Sequence, residues 1–422
     1  MANAKKRLFI IDSSCGANTT HNPISMNSVY DYIGHLFDEV FYIAPHKHSF
    51  HHNHVNFVEC FVPPFTKKSK KKSFYNRFRL FKVYEKVLQF CKIDIAKYLC
   101  SMQFKKICNF YQVGRNDVFF LPSASYYCIN SVMSYAINAK NKSPKIHCKL
   151  VNVLDFVSIK KNYFTNNLDK TSLLIAKARK ILKEEKIIIS TETQNYANFL
   201  KHKNIKIDYV NLMIKISTHE NKDDTINVNR SFYNIFLPGM QLRNDKGFFT
   251  FLSIVEIFCK KYNSNFAKIN FIIQNPEELE RYNKNLYFLK LLNTGKVTYV
   301  ASKLSNQDLL FLYNSCDLIL LPYQTQFFNP KYNMDSYEFK GSGIVAEALN
   351  FKKNLVISNN IAIKSFVESY DSGILCDNNP VAFADAIYNA MQMDTQELDK
   401  RLETAKQKYE ADLQDLVKRY FI

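Results

Sequence analysis

The sequence predicts an α/β protein made of two Rossmann-like halves, and three observations carry that prediction. Short apolar runs rich in β-branched and aromatic residues recur along the chain, with helical patterns between several of them. The alternation stops at a polar stretch, His219 to Ser231, and then resumes. Near the C-terminal end a buried-strand run, a long loop, a glycine turn, a helix and a second buried-strand run follow one another from Cys316 to Ser358. Alternating strands and helices build parallel sheets, and ligands of such sheets sit beyond the carboxyl ends of the strands. Two halves facing each other would then share one cleft.

In chain order, the first half is expected to place strands at Leu8 to Asp12, Glu39 to Ile43, Val55 to Cys60, Val118 to Leu121, Cys148 to Val153 and Lys186 to Ser190. The second half follows with Tyr233 to Leu237, Ile269 to Ile273, Val297 to Val300, Leu318 to Leu321, Leu355 to Ile357 and Gly373 to Leu375. A charged helical pattern, Thr395 to Tyr420, ends the chain. The domains are accordingly drawn at residues 1–220 and 232–395, with 396–422 as a terminal helix.

Composition bounds the function. The chain has 422 residues, of which 47% are hydrophobic, enough for two or three domains with real cores. It contains no run of 18 or more apolar residues, and the opening Met1-Ala-Asn-Ala-Lys-Lys-Arg passes straight into a strand, too short for a signal peptide. A cytoplasmic location is therefore expected. The 10 cysteines are scattered through apolar segments without a CxxC pair and read as reduced thiols. The net charge of +19 comes with a background rich in Lys, Asn, Ile, Phe and Tyr, so base composition competes with function as its cause.

The stretch from Leu318 to Ser358 carries the chemistry. Leu318 to Leu321 is an apolar run closed by Pro322. Gly341-Ser342-Gly343 permits a tight turn and close backbone approach. The helix that starts there offers unpaired N–H groups and a positive dipole end to a phosphate. Glu347 follows about one turn later, within reach of a ribose hydroxyl and off the expected core stripe.

These residues resemble the donor-binding segment of GT-B glycosyltransferases, specifically the GT4-like retaining group. A second segment agrees: Phe236-Leu237-Pro238-Gly239-Met240-Gln241-Leu242-Arg243-Asn244-Asp245-Lys246-Gly247 resembles the first strand and turn of that family's C-terminal domain. The resemblance implies a GT-B fold of two Rossmann-like domains facing across a cleft, with the terminal helix packing across both. It implies that Arg243 and Lys246 neutralise the diphosphate of a UDP- or GDP-linked donor, a role that suits two cations beside a leaving group of growing charge. The implied donor set is Gly16, Gly239, Arg243, Lys246, Tyr323, Gly341, Ser342, Gly343, Ile344 and Glu347. One departure stands out. The family's first Glu, which contacts the donor sugar, is here Phe339; either Glu338 next to it substitutes through a local shift or the sugar is held differently.

Other motifs point to the acceptor side. The turn Ser13 to His21 sits where GT-B enzymes approach donor sugar and acceptor, and within it only Gly16 has a backbone rationale, against the reading of a polar connector. Asp155 follows a strand and reads either as a base for an acceptor hydroxyl or as a helix cap. Lys67-Lys68-Ser69-Lys70-Lys71-Lys72 precedes a stripe of Phe74, Phe78, Phe81, Tyr84, Leu88 and Cys91. That basic amphipathic pattern is either the buried face of a surface helix or a contact from Lys67 to Cys91 with an anionic membrane on its inner face. No nucleic-acid-binding signature accompanies it. His46, His48, His51, His52 and His54 crowd one loop without carboxylate or cysteine partners and read as solvated rather than metal-binding, and the GT-B resemblance implies no catalytic metal and no cofactor beyond the donor substrate. Walker A, GxSxG and HExxH motifs are missing, and Asp223-Asp224 is no convincing metal motif.

The function expected is transfer of a sugar from a nucleotide-sugar donor to a carbohydrate or lipid-linked acceptor, retaining and metal-independent. The alternatives are an inverting GT-B transferase using a base such as Asp155, or a degenerate scaffold that binds a glycan or a protein.

Overall fold

The computed structural model describes residues 5–12, 21–45, 54–61, 95–123, 125–151, 167–212, 226, 228–239, 246–274, 291, 295–300, 304, 306–324, 328–329 and 334–422. The chain divides into two compact units. The first is Met1–Glu192 with Tyr196–Met213 and Arg419–Ile422, and the second is Thr193–Asn195 with Ile214–Lys418.

The first unit runs β1 (Arg7–Ile11), α1 (His21–Ile33), β2 (Glu39–Ala44), β3 (Asn56–Glu59), α2 (Ile95–Phe110), β4 (Val118–Leu121), α3 (Tyr126–Ala139), β5 (Lys145–Leu150), α4 (Asn167–Leu182), β6 (Ile187–Thr191), α5 (Gln194–His202) and β7 (Tyr209–Val210). All its strand pairs are parallel, in the order β3-β2-β1-β4-β5-β6-β7. Leu8 to Ile11 and Val118 to Leu121 are buried without a polar break, as strands covered on both faces require. One strand lies earlier than the hydrophobic pattern suggested. Cys148 to Val153 was the expected span, yet pairing with β4 starts at Lys145. The polar side chains there are accommodated: Lys145 Nζ and His147 Nε2 meet the Tyr420 carbonyl at 2.5 and 2.9 Å, and His147 stacks 4.0 Å from the Phe421 ring.

The second unit runs β8 (Tyr233–Leu237), α6 (Phe248–Lys261), α7 (Asn263–Phe266), β9 (Ile269–Gln274), β10 (Val297–Val300), α8 (Asn306–Ser315), β11 (Leu318–Leu321), β12 (Phe328–Asn329), β13 (Met334–Asp335), α9 (Ser336–Phe339), α10 (Gly343–Asn350), β14 (Asn354–Ser358), α11 (Lys364–Tyr370), β15 (Ile374–Cys376), α12 (Pro380–Gln392) and α13 (Thr395–Phe421). Its parallel sheet has the order β10-β9-β8-β11-β14-β15, and β12 and β13 form a separate antiparallel pair. Both large sheets therefore start at an inner strand, step outward to one edge and return to the other side. That order puts a topological switch point between β1 and β4 in one and between β8 and β11 in the other.

Local chemistry fixes the ends of these elements. Asn379 caps α12 by accepting from the Ala382 N–H at 2.9 Å, ahead of Pro380 at the first helical position. At the amino ends of the second sheet, Asp317 accepts from the Asn234 N–H at 2.7 Å, Asn270 donates to the Asn234 side chain at 2.9 Å and Thr298 donates to Asn270 at 3.0 Å. These bonds satisfy the polar groups at that end. Phe251, Ile254, Val255 and Phe258 of α6 pack with Phe271 of β9 and Phe383 and Ile387 of α12 into the core of this unit. Within α13, Leu402, Ala405, Tyr409 and Leu413 are buried. Tyr409 packs on Phe366 and Tyr370 with ring centroids 5.5 and 5.4 Å apart.

Among the described residues no helix is long and apolar enough to cross a membrane. The eight described cysteines are all free, and burial pushes the Cys60 and Cys316 thiols up to about 12.

Candidate functional site

Two turns of the second unit meet at its switch point. β8 ends in Pro238-Gly239, where Gly239 takes a φ of +64° that suits glycine. A Cβ at Gly239 would lie 3.8 Å from Cδ1 of Ile344, the second residue of α10. The turn after β8 and the start of α10 are thus neighbours, although about a hundred residues of chain separate them. Ser342 precedes the helix in an extended conformation and makes no side-chain cap, so its hydroxyl leaves the first amides of α10 uncapped from that side.

The described glycines with left-handed backbone lie outside the Gly341-Ser342-Gly343 turn. Gly341 and Gly343 are absent from the described glycines with positive φ, which are Gly239, Gly247 and Gly295. The demanding position is Gly247, with φ +81°, where a Cβ would stand 1.8 Å from the Pro322 carbonyl oxygen. This contact seats the start of α6 directly on the end of β11. The glycine is visible in the sequence, but the carbonyl that requires it is not local to it.

Lys246, immediately before, is held by aromatic side chains. Its Nζ donates to the Tyr323 hydroxyl at 2.9 Å and lies 4.1 Å from the centroid of that ring and 5.2 Å from that of Tyr337. Both tyrosines are buried, with ring centroids 4.6 Å apart. A cation over two ring faces gains electrostatic attraction in a desolvated setting, so Tyr323 approaches the site through Lys246. Tyr337 had no place in the sequence reading, since a lone tyrosine beside a polar loop carries no periodic signal.

Glu347 is a correction to the sequence reading. It was placed off the core stripe, yet it is only 7% exposed and lies among the buried residues Val345 to Leu349 of α10. Its Oε2 accepts from the Tyr313 hydroxyl at 2.5 Å. Burial raises the Glu347 carboxyl above its ordinary range, and the Tyr313 bond draws it back down. Tyr313, fully buried on α8, packs edge-on against Phe236 and is stacked on Phe351 at 4.9 Å. Glu338 is exposed on the single turn of α9.

Gly16, Asp155 and Arg243 lie outside the described residues, as do Lys67 to Cys91, Asp223-Asp224, and His46, His48, His51 and His52 of the histidine loop. Among the described residues no group of His, Cys, Asp or Glu is arranged to hold a metal ion. The arrangement at the switch point, a glycine turn, a helix start, a cation and a buried carboxylate, can take a phosphate and a hydroxyl-bearing ring side by side.

Residues 221–409 match the family described as group 1 glycosyl transferases. No curated protein matches the chain by sequence. Among solved structures, sucrose-phosphate synthase from Thermosynechococcus elongatus is similar with a TM-score of 0.62 at 10% identity, over 98% of this chain and 98% of its own. A glycosyltransferase from Rickettsia africae gives 0.61 at 12% identity over 99% and 98%. HepE from Anabaena, solved with UDP and glucose, gives 0.57 at 12% identity over 99% and 99%. At such identities the likeness establishes the fold.

Proposed function

We propose that this chain, whose residues 221–409 match the family described as group 1 glycosyl transferases, is a nucleotide-sugar-dependent glycosyltransferase on the GT-B plan, and that the switch-point site of the second unit holds the diphosphate and ribose of a UDP- or GDP-linked donor. The observation that carries this reading is the meeting of the Gly239 turn with the start of α10, with Lys246 held on Tyr323 just past the end of β11, the strand paired with β8. Amides of the α10 start and the Lys246 and Arg243 cations take the diphosphate, and Glu347 accepts from a ribose hydroxyl. HepE, of similar fold, is described with UDP and glucose bound, which is the ligand class the site suits.

In the reaction, the bond between the anomeric carbon and the diphosphate oxygen breaks, and negative charge grows on the diphosphate. Lys246 and Arg243 stabilise that charge, and the departing phosphate accepts the acceptor hydroxyl's proton as the new glycosidic bond forms. This course retains the anomeric configuration and asks for no metal. The acceptor is a carbohydrate or a lipid-linked glycan. With Lys67 to Cys91 as a basic, amphipathic segment, the enzyme works at the inner face of an anionic membrane.

A thermal-shift panel of UDP, GDP, ADP and CDP, with their glucose conjugates, tests the donor reading by mass-action stabilisation. Stabilisation by one base class is the expected result, and none by any nucleotide sinks it. Product configuration by NMR separates retention from inversion. Vesicle co-sedimentation with neutral and anionic lipids, at low and high salt, tests the membrane contact, because electrostatic adsorption weakens as salt shortens the screening length.

A further inference from the structure

Tyr313 lies behind the proposed ribose contact. It is fully buried on α8 and is fixed by the Phe236 edge and the Phe351 face. Glu347 alone among the acidic residues of the second unit's described helices is buried, and its Oε2 is taken by the Tyr313 hydroxyl at 2.5 Å. A buried carboxylate without a donor is costly, and one with a single strong donor keeps its second oxygen for another partner. Side-chain rotamers behind a recognition group set its geometry as effectively as the group itself.

We infer that Tyr313 is a positioning residue for nucleotide recognition: by holding Glu347 Oε2 it orients the carboxylate so that its other oxygen receives a ribose hydroxyl. This rests on the reading of Glu347 as the ribose contact. Tyr313 itself touches no substrate. Its stacking on Phe351 ties the orientation of Glu347 to the C-terminal end of α10, so the helix that opens at the diphosphate also carries, through its last turn, the prop for the ribose contact.

The arrangement has a titration signature. A ribose hydroxyl donates to the ionised carboxylate, so binding weakens as Glu347 takes up a proton. The Tyr313 bond opposes protonation, whereas burial favours it. The other titratable groups facing the pair are Cys316, pushed up to about 12, and Tyr323, beyond which Lys246 lies. Removing the Tyr313 hydroxyl therefore moves the acid limb of nucleotide binding to higher pH, an effect that lost packing alone does not produce.

The experiment is calorimetric titration of UDP and GDP into the full chain between pH 5 and 8, for wild type, Tyr313→Phe, Phe351→Leu, Glu347→Gln and the double variant Tyr313→Phe/Glu347→Gln. Tyr313→Phe is expected to weaken the nucleotide that binds by about threefold to thirtyfold at neutral pH and to shift the acid limb upward by roughly one pH unit. Phe351→Leu, which spoils packing but keeps the hydroxyl, is expected to leave the limb in place. In the Glu347→Gln background, where an amide that cannot accept replaces the oxygen left for the ribose hydroxyl, Tyr313→Phe adds less than its loss in the wild-type background; that pair of variants decides the matter if Tyr313→Phe alone does not fold. An unmoved limb with unchanged affinity in Tyr313→Phe, or a full additional loss in the double variant, overturns the inference. Failure of wild type to bind either nucleotide overturns the ribose reading itself, a result distinct from both.

Discussion

Gly247 and Pro322 stand in a contact that only glycine permits, because a Cβ at position 247 would lie 1.8 Å from the Pro322 carbonyl oxygen. The left-handed φ of +81° adds a second reason. Since Pro322 closes β11 and Gly247 starts α6, this approach brings Lys246 to the end of β11, where Tyr323 meets it.

Gly247→Ala is therefore expected to destabilise the fold by more than about 2 kcal/mol, combining backbone strain with a backbone clash. Gly295→Ala is the control. Its φ of +66° is equally left-handed, but nothing lies within 4 Å of the added Cβ, so strain alone, on the order of 1 kcal/mol, remains. Chemical denaturation of both variants checks the difference; equal losses would mean that the Pro322 contact relaxes freely.

Lys246→Ala is expected to lower sugar transfer by a factor of about ten to a thousand, the usual loss when one charged stabiliser of a developing anion is removed, and Arg243→Ala likewise. Tyr323→Phe removes only the 2.9 Å hydrogen bond and keeps the ring under the cation, so a smaller loss, about threefold to tenfold, is expected. Initial rates with a saturating donor compare the three. A Tyr323→Phe loss as large as that of Lys246→Ala would show that the tyrosine hydroxyl has its own part in the reaction.

How far the sequence reveals the fold depends on where the deciding contacts lie. Tyr233 to Leu237, Val297 to Val300 and Leu318 to Leu321 were legible to the residue, because short runs rich in apolar, β-branched and aromatic residues stand out between polar or proline punctuation, even where Asn234 or Thr298 interrupts them. β5 was misplaced because Lys145 and His147 look like loop residues until Tyr420 and Phe421, far along the chain, cover them. β7, a two-residue edge strand, has no periodicity to detect. At the site, Gly239, Lys246, Ile344 and Glu347 came from one local motif pair. Tyr337, Tyr313 and the Gly247 constraint depend on contacts between distant segments, and a tyrosine among apolar residues reads simply as core.

His147 makes the first unit acid-sensitive. Burial, helped by Lys145, lowers its imidazole from 6.5 to about 3. The folded chain thus keeps His147 neutral where the unfolded chain takes up a proton, so stability is lost as pH falls from 6.5 towards 3. The loss from this group is on the order of 3 kcal/mol by pH 4. His147→Phe preserves a ring against Phe421 and removes the titration, and its unfolding midpoint is expected to fall less between pH 7 and 4 than that of wild type. Parallel curves would place the acid sensitivity elsewhere.

Glu347 has the opposite sign. Burial raises its carboxyl above the ordinary 4.5, with the Tyr313 bond only partly offsetting it. The folded chain therefore binds this proton more tightly than the unfolded chain, and stability drains as pH rises through the window above 4.5. Near neutral pH the ionised, buried carboxylate is therefore a cost to the fold. Glu347→Gln retains an oxygen to accept from Tyr313 and removes the charge. It is expected to melt at or above the wild-type temperature at pH 7.5, with the advantage shrinking towards pH 4.5, while binding the nucleotide about tenfold or more weakly. Thermal melts across that pH range, paired with titration of the nucleotide, read both effects on one protein. A variant that melts well below wild type at pH 7.5 yet binds nucleotide normally per folded molecule would make Glu347 a structural residue and return the ribose contact to another side chain.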